Sequence, residues 1–151
     1  GKLRRNFQGY TTDDCQTLIG FGASAIGRTA HGYVQNEVPL GRYAEQIDTG
    51  CFATTKGHLL TAEDRLRADI IERLMCDLQA DVAAICVRRG FDLETVLNAN
   101  DQLEALERDG VLEIADGVIR LCGKHRFLVR AAAAAFDAYL TTSPRAHGKA
   151  A

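Results

Sequence analysis

The sequence predicts an α+β fold, mainly α, and three observations predict it. Apolar residues recur at helical spacing through the middle of the chain, an Asp-Gly pair stands between two β-branched runs near residue 116, and glycines punctuate short β-prone stretches before residue 57. With 151 residues, 46% hydrophobic and 25% charged, the chain can bury one real core. One compact domain with an appendage is therefore expected.

The helical part can be justified element by element. Thr61, followed three residues later by Asp64, resembles a capping box with Asp in place of Glu, and Leu66, Ile70, Leu74 and Leu78 then line one face, widened by Ile71 and Met75. This predicts a helix over about 62–79. Its outer face offers Glu63 with Arg67 and Asp69 with Arg73 as i,i+4 pairs, each worth only about 0.3 kcal/mol. A shorter helix is expected over about 81–89, stopped by Gly90. Asp92 caps a third, with Leu93, Val96, Leu97, Leu103 and Leu106 apolar and a stop at Gly110. In "GVLEIADGVIRL" the pair Asp116-Gly117 predicts a hairpin, because a type I′ turn needs positive φ at both central residues. A last helix is expected over about 125–140, after Gly123 and through the alanine run to Tyr139 and Leu140. Three helices, a hairpin and a helix is the order of a winged-helix fold, and the tail around Pro144 is expected to fray.

The first 56 residues have another texture. "LRRNFQGY" and "TLIGFGASAI" read as short strands, "PLGRYAEQIDTG" as a helix of two or three turns ended by Gly50, and "CFATTKGHLL" as a strand leading into the capped helix. These strands are too few to close a sheet of their own.

Composition excludes several classes of function. A formal charge of −2 provides no broad cationic field for nucleic acid or an anionic membrane. No apolar run approaches the roughly 20 residues of a membrane span, and no n-region precedes an h-region, so a soluble, cytoplasmic protein is expected. Cys15, Cys51, Cys76, Cys86 and Cys122 form no CxxC pair and read as free thiols in a reducing compartment.

The glycine stretch holds two short motifs. Gly20-Phe21-Gly22-Ala23-Ser24-Ala25 satisfies G-x-G-x-x-A, the dinucleotide fingerprint, yet the strand before it would be only Leu18-Ile19 and no helical period follows. Ser24 resembles a nucleophile elbow, but Ile26 stands where glycine is required. His31, His58, His125 and His147 share no metal-ligand spacing. A winged-helix order also raises nucleic-acid binding, and charge weighs against it. The third helix carries Asp92, Glu94, Asp101, Glu104, Glu107 and Asp109 against Arg108, a face that repels phosphate.

The stretches "LRRNFQGYTT", "LIGFGASAIG", "GYVQNE", "GRYAEQID", "ADIIERLMCDLQAD" and "HRFLVRAAAAAFDAYL", in that order, resemble the C-terminal third of oxygen-independent coproporphyrinogen III oxidase, a radical S-adenosylmethionine family of haem biosynthesis. The resemblance covers nearly the whole chain. It implies a parent enzyme whose N-terminal (β/α) barrel carries a [4Fe-4S] cluster on C-x-x-x-C-x-x-C, and whose C-terminal helical domain covers the barrel mouth. It also implies that two propionates of a porphyrinogen substrate are oxidatively decarboxylated through radicals from S-adenosyl-L-methionine. The cluster cysteines have no match here, so this chain alone is expected to be inactive and to bind no cluster.

The resemblance further implies that Phe7 and Gln8 in "NFQGY", and Ile26 in "SAI", line the S-adenosylmethionine cavity. An amide can bond a carboxylate, amine or ribose, while an aromatic and a branched aliphatic side chain pack the ligand and exclude water. Gly20 and Gly22 would allow close backbone approach, or pack strands tightly. Arg28, Arg42 and Lys56 are candidate partners for substrate carboxylates. One departure is Cys122, where many relatives place Thr before the last helix. The implied organisation is 1–56 as the end of the barrel, 57–142 as a winged-helix-like domain and 143–151 as a tail. The competing class is a non-catalytic winged-helix interaction module, or a nucleic-acid-binding one.

Overall fold

The structure is a computed structural model and describes residues 2–7, 9–98 and 100–140. In chain order its elements are β1 (Arg4–Asn6), β2 (Gly9–Thr11), β3 (Ile26–Arg28), β4 (Gly32–Asn36), α1 (Leu40–Asp48), β5 (Thr54–Leu59), α2 (Ala62–Asp77), β6 (Gln79–Asp81), α3 (Val82–Arg89), α4 (Leu93–Leu97), α5 (Asp101–Arg108), β7 (Leu112–Ala115), β8 (Val118–Leu121), a 3-10 helix (Gly123–Leu128) and α6 (Val129–Ala134). They form two compact units. One joins the N-terminal hairpin to everything from Ala62 onward, and the other is Asp13–Thr61.

The first unit holds the core. Leu66, Ile70 and Leu74 of α2 pack with Val82, Ile85 and Cys86 of α3, Leu103 of α5, Leu112 and Ile119 of the β7–β8 hairpin, Ala132 of α6 and Phe136 just beyond it. Of the apolar stripe read from the sequence, Leu66, Ile70, Leu74 and Met75 are the buried face of α2, Ile71 is partly buried and Leu78 falls beyond the helix end. β1 and β2 pair as a hairpin rather than one strand, and this hairpin packs with α2. Arg4 Nη1 donates to Glu72 Oε2 at 3.1 Å, Arg73 Nη2 to the Leu3 carbonyl at 2.8 Å, and the Tyr10 hydroxyl to the Met75 carbonyl at 3.4 Å.

Several boundaries differ from the sequence expectation for identifiable reasons. α2 stops at Asp77 rather than 79 because Leu78 adopts φ 59° and gives its carbonyl to the Leu121 N–H at 2.9 Å. Gln79–Asp81 then becomes β6, a strand too short to show a period, and pairs with β8 in a sheet ordered β6-β8-β7. The expected third helix is two, because Asn98 turns extended and the Asn100 side chain caps α5 by accepting the Leu103 N–H at 3.1 Å. The expected helix over 125–140 starts as 3-10 and leaves α geometry after Ala134. There the Phe136 and Asp137 N–H groups bond three residues back, which turns Phe136 into the core. Asp69 pairs with Arg88 and Arg89 of α3 rather than with Arg73, while Glu63 and Arg67 do pair, at 2.6 Å. The predicted turn at Asp116-Gly117 has φ 52° and 74°, and Gly90 ends α3 at φ 75°. The tail from residue 143 lies outside the described residues.

The second unit is an antiparallel sheet ordered β3-β4-β5 with α1 between β4 and β5. The strand expected over "TLIGFGASAI" reduces to one bridge between Leu18 and Arg28 plus the start of β3, and β4 is a strand that the sequence did not announce. Only Gly27, Gly32 and Ala53 are buried here, whereas Ile19, Phe21, Leu40, Phe52 and Leu59 are largely exposed.

Candidate functional site

The expected site residues fall in both units. Phe7 lies in the turn between β1 and β2 and is 55% exposed. Pairing of Asn6 with Gly9 places Phe7 past the end of β1. Gln8 lies outside the described residues.

Ile26 opens β3 and is half-buried. Its register partners are Gln35 on β4 and, through Gln35, Lys56 on β5; the next row on the same face is Arg28, Tyr33 and His58. Since side chains alternate across a strand, the opposite face carries Gly27, Val34 and Gly57. Two of the three candidate cations, Arg28 and Lys56, thus share the face of Ile26. Arg28 is partly engaged, with Nη2 donating to the Cys15 carbonyl at 3.0 Å. Arg42 stands exposed on α1.

The segment leading into Ile26 is held from many sides. Asn36 Nδ2 donates to the carbonyls of both Gly20 (3.2 Å) and Gly22 (3.1 Å), and the Asn36 N–H donates to the Ala25 carbonyl at 3.0 Å. The Gly22 N–H donates to the Tyr43 hydroxyl at 3.1 Å, the Ser24 N–H to the Glu37 carbonyl at 2.7 Å, and Gln35 Nε2 to the Ser24 carbonyl at 3.3 Å. Gly22 sits at φ 101° and Ser24 at φ 61°, and a Cβ on Gly20 would meet the Ala25 methyl and the Ile26 carbonyl oxygen, both at 2.9 Å. These glycines serve a tight, strained loop. The chain after Gly22 runs into β3 and not into a helix, so no helix N-terminus is offered to a dinucleotide pyrophosphate. Asn36 and Tyr43 carried no signal in the sequence, because their partners are 14 to 21 residues away.

Among the described residues, no cluster of three His, Cys, Asp or Glu side chains could hold a metal ion, and no helix is long and apolar enough to cross a membrane. A cleft of about 470 Å³ in the helical unit is lined in part by Arg67, Asn98, Asn100, Asp101, Gln102 and Asp137. Its polar groups mainly hold the fold: Arg67 bonds Glu63 and the Phe136 carbonyl, and Asn100 and Gln102 donate to the carbonyls of Ala135 and Ala131.

Comparison with known proteins adds to this geometry. Residues 60–128 match the family described as the HemN C-terminal domain. The chain is 51% identical over 148 residues to the oxygen-independent coproporphyrinogen III oxidase of Bradyrhizobium diazoefficiens, covering 98% of this chain and 33% of that protein. It is 42% identical over 139 residues to the enzyme of the same name from Paracoccus denitrificans, covering 92% and 31%. A solved structure described as coproporphyrinogen III oxidase (HemN) from Escherichia coli, a radical SAM enzyme, superposes with a TM-score of 0.86 at 34% identity, over 92% of this chain and 32% of that one. The chain thus spans about a third of the length of the curated relatives it matches, and it matches their C-terminal part.

Proposed function

We infer that this chain, which matches the C-terminal part of oxygen-independent coproporphyrinogen III oxidases along nearly all of its length, works as that part of such an enzyme. The whole protein would convert coproporphyrinogen III to protoporphyrinogen IX in haem biosynthesis by oxidative decarboxylation of two propionates. The observation that carries this reading is colinear identity of 51% over 98% of the chain. In this reading S-adenosyl-L-methionine and a [4Fe-4S] cluster would supply the radical chemistry.

By the resemblance the iron–sulfur ligands belong to a C-x-x-x-C-x-x-C motif of an N-terminal barrel, so they would come from other polypeptide. Phe7, Gln8 and Ile26 would line the S-adenosylmethionine cavity, with Phe7 and Ile26 excluding water and the Gln8 amide bonding a polar group of the ligand. Arg28 and Lys56, on the face of Ile26, would attract the substrate carboxylates. Residues 1–56 would be the end of the barrel; the three buried residues of the Asp13–Thr61 unit, with Phe21, Phe52 and Leu59 exposed, support that reading by leaving apolar surface for other polypeptide to cover. The helical unit would be winged-helix-like, with α2, α3 and α5 as its helices and β7–β8 as the wing. The acidic residues of α4 and α5 suit a protein contact and oppose nucleic acid. The protein would work in the cytoplasm.

The test is anaerobic assay of the full-length protein after reconstitution with iron and sulfide. Release of CO2 with formation of protoporphyrinogen is expected; an intact cluster without turnover of coproporphyrinogen would overturn the proposal.

A further inference from the structure

We propose that Asn36, assisted by Tyr43, is a positioning residue for S-adenosylmethionine: it fixes the Gly20–Ile26 loop and thereby the placement of Ile26. The inference rests on the reading that Ile26 lines that cavity. One amide group spans two carbonyls, Gly20 and Gly22, while its Oδ1 accepts the Thr54 hydroxyl at 3.3 Å. The side chain is therefore tied to β5 as well as to the loop. Tyr43 of α1 takes the one N–H of Gly22. Between these anchors Gly22 and Ser24 keep positive φ, a conformation that costs about 1–3 kcal/mol for Ser and persists only where the surroundings over-determine it.

Backbone strain of this kind clusters at ligand sites, where the surroundings hold it in place. A shorter or extended link from Leu18 to β3 would satisfy the same sheet, since Leu18 already bridges Arg28. The bonds instead converge on the residues directly before Ile26, and the Gly20 position would push an added Cβ onto the Ile26 carbonyl. Asn36 itself sits at the register shift between Gln35 and Asn36, where β4 departs from regular pairing with β5. Bulges of this kind re-aim a side chain.

The experiment uses the full-length reconstituted enzyme and reads the dissociation constant of S-adenosylmethionine directly, together with its KM and kcat. Asn36→Ala, and less strongly Tyr43→Phe, should weaken binding, by about tenfold for the first, equivalent to one or two neutral hydrogen bonds. KM should rise with kcat nearly unchanged. Thr29→Ala provides the control, because Thr29 Oγ1 donates to the Gly32 carbonyl at 3.3 Å and accepts the His31 N–H at 3.2 Å at the opposite end of the same hairpin. It should leave binding unchanged. Equal weakening by Thr29→Ala, or unchanged binding in Asn36→Ala while Ile26→Ala weakens it, overturns the positioning role. Unchanged binding in Ile26→Ala would remove the cavity reading beneath it.

Discussion

Gly117 lies so close to Ala83 that an added Cβ would stand 2.7 Å from the Ala83 methyl and 2.9 Å from Leu93 Cδ2. The Gly117 carbonyl also accepts the Ala83 N–H at 3.1 Å, so the turn of the β7–β8 hairpin is seated on the first turn of α3. Its φ of 74° adds a left-handed requirement. Gly117→Ala should cost about 2–4 kcal/mol, left-handed strain plus overpacking. A fall in the urea midpoint at unchanged slope would show it, and a midpoint within experimental error of the parent would refute the close seating.

Asn100 has two jobs at one helix end. Its Oδ1 caps α5 through the Leu103 N–H, and its Nδ2 donates to the Ala135 carbonyl at 2.8 Å, joining α5 to the end of α6. Asn100→Ala should lose about 1–2 kcal/mol, whereas Asn100→Ser should keep a capping oxygen and lose only the second bond. Equal losses in the two variants would contradict this assignment.

The contrast between Asp116-Gly117 and Asn98–Asn100 shows what the sequence can disclose. A type I′ turn, a glycine C-cap at Gly90 and the Leu66–Ile70–Leu74 stripe are local codes, written within a few residues, and each was legible. The break between α4 and α5 depends on Asn100 reaching Ala135, and β4 depends on pairing with β3 and β5, so neither has a local signature. The same applies to the candidate site. Phe7 and Ile26 were nameable only through family resemblance. The grip of Asn36 on Gly20 and Gly22 becomes visible only once the chain has folded back on itself.

Asp69 should make part of the stability pH-dependent. Burial alone would raise its carboxyl, but hydrogen bonds and charge from Arg89 and Arg88 outweigh this and hold it below the usual value. A lowered folded-state pKa means that the contribution is complete above the unfolded value and is lost as pH falls through the folded one. Asp69→Asn should thus cost about 1 kcal/mol at pH 7 and low salt, less in salt because Arg88 is well exposed. As pH falls below the ordinary carboxyl value of 3.8 and through the lowered folded-state one, the gap between variant and parent should shrink. Urea midpoints across this fall would test this, and a gap constant with pH would exclude the ion pair as its source.

The five thiols should separate by reactivity. Cys15 and Cys51 are exposed, while burial pushes the thiols of Cys76 and Cys86 up and Cys86 is in the core. At pH 8 an aromatic disulfide reagent should modify Cys15 and Cys51 first and reach Cys86 only on unfolding. Peptide mass mapping would assign the order, and early modification of Cys86 would contradict the packing of α3.

The two units should also differ in resistance to cleavage. Among the described residues the buried apolar cluster lies within the helical unit, and Asp13–Thr61 must rely on sheet hydrogen bonds and three buried small residues. Local opening there exposes little additional apolar surface and so costs little free energy. Chymotrypsin should cut first after Phe21 or Phe52, which are 89% and 95% exposed, and leave a resistant piece that includes α2 through α6. In the full-length protein these two bonds should be protected if other polypeptide covers them. First cuts within α2–α6 of the 151-residue chain, or equal cleavage at Phe21 and Phe52 in both proteins, would contradict the division of stability and the proposed covering, respectively.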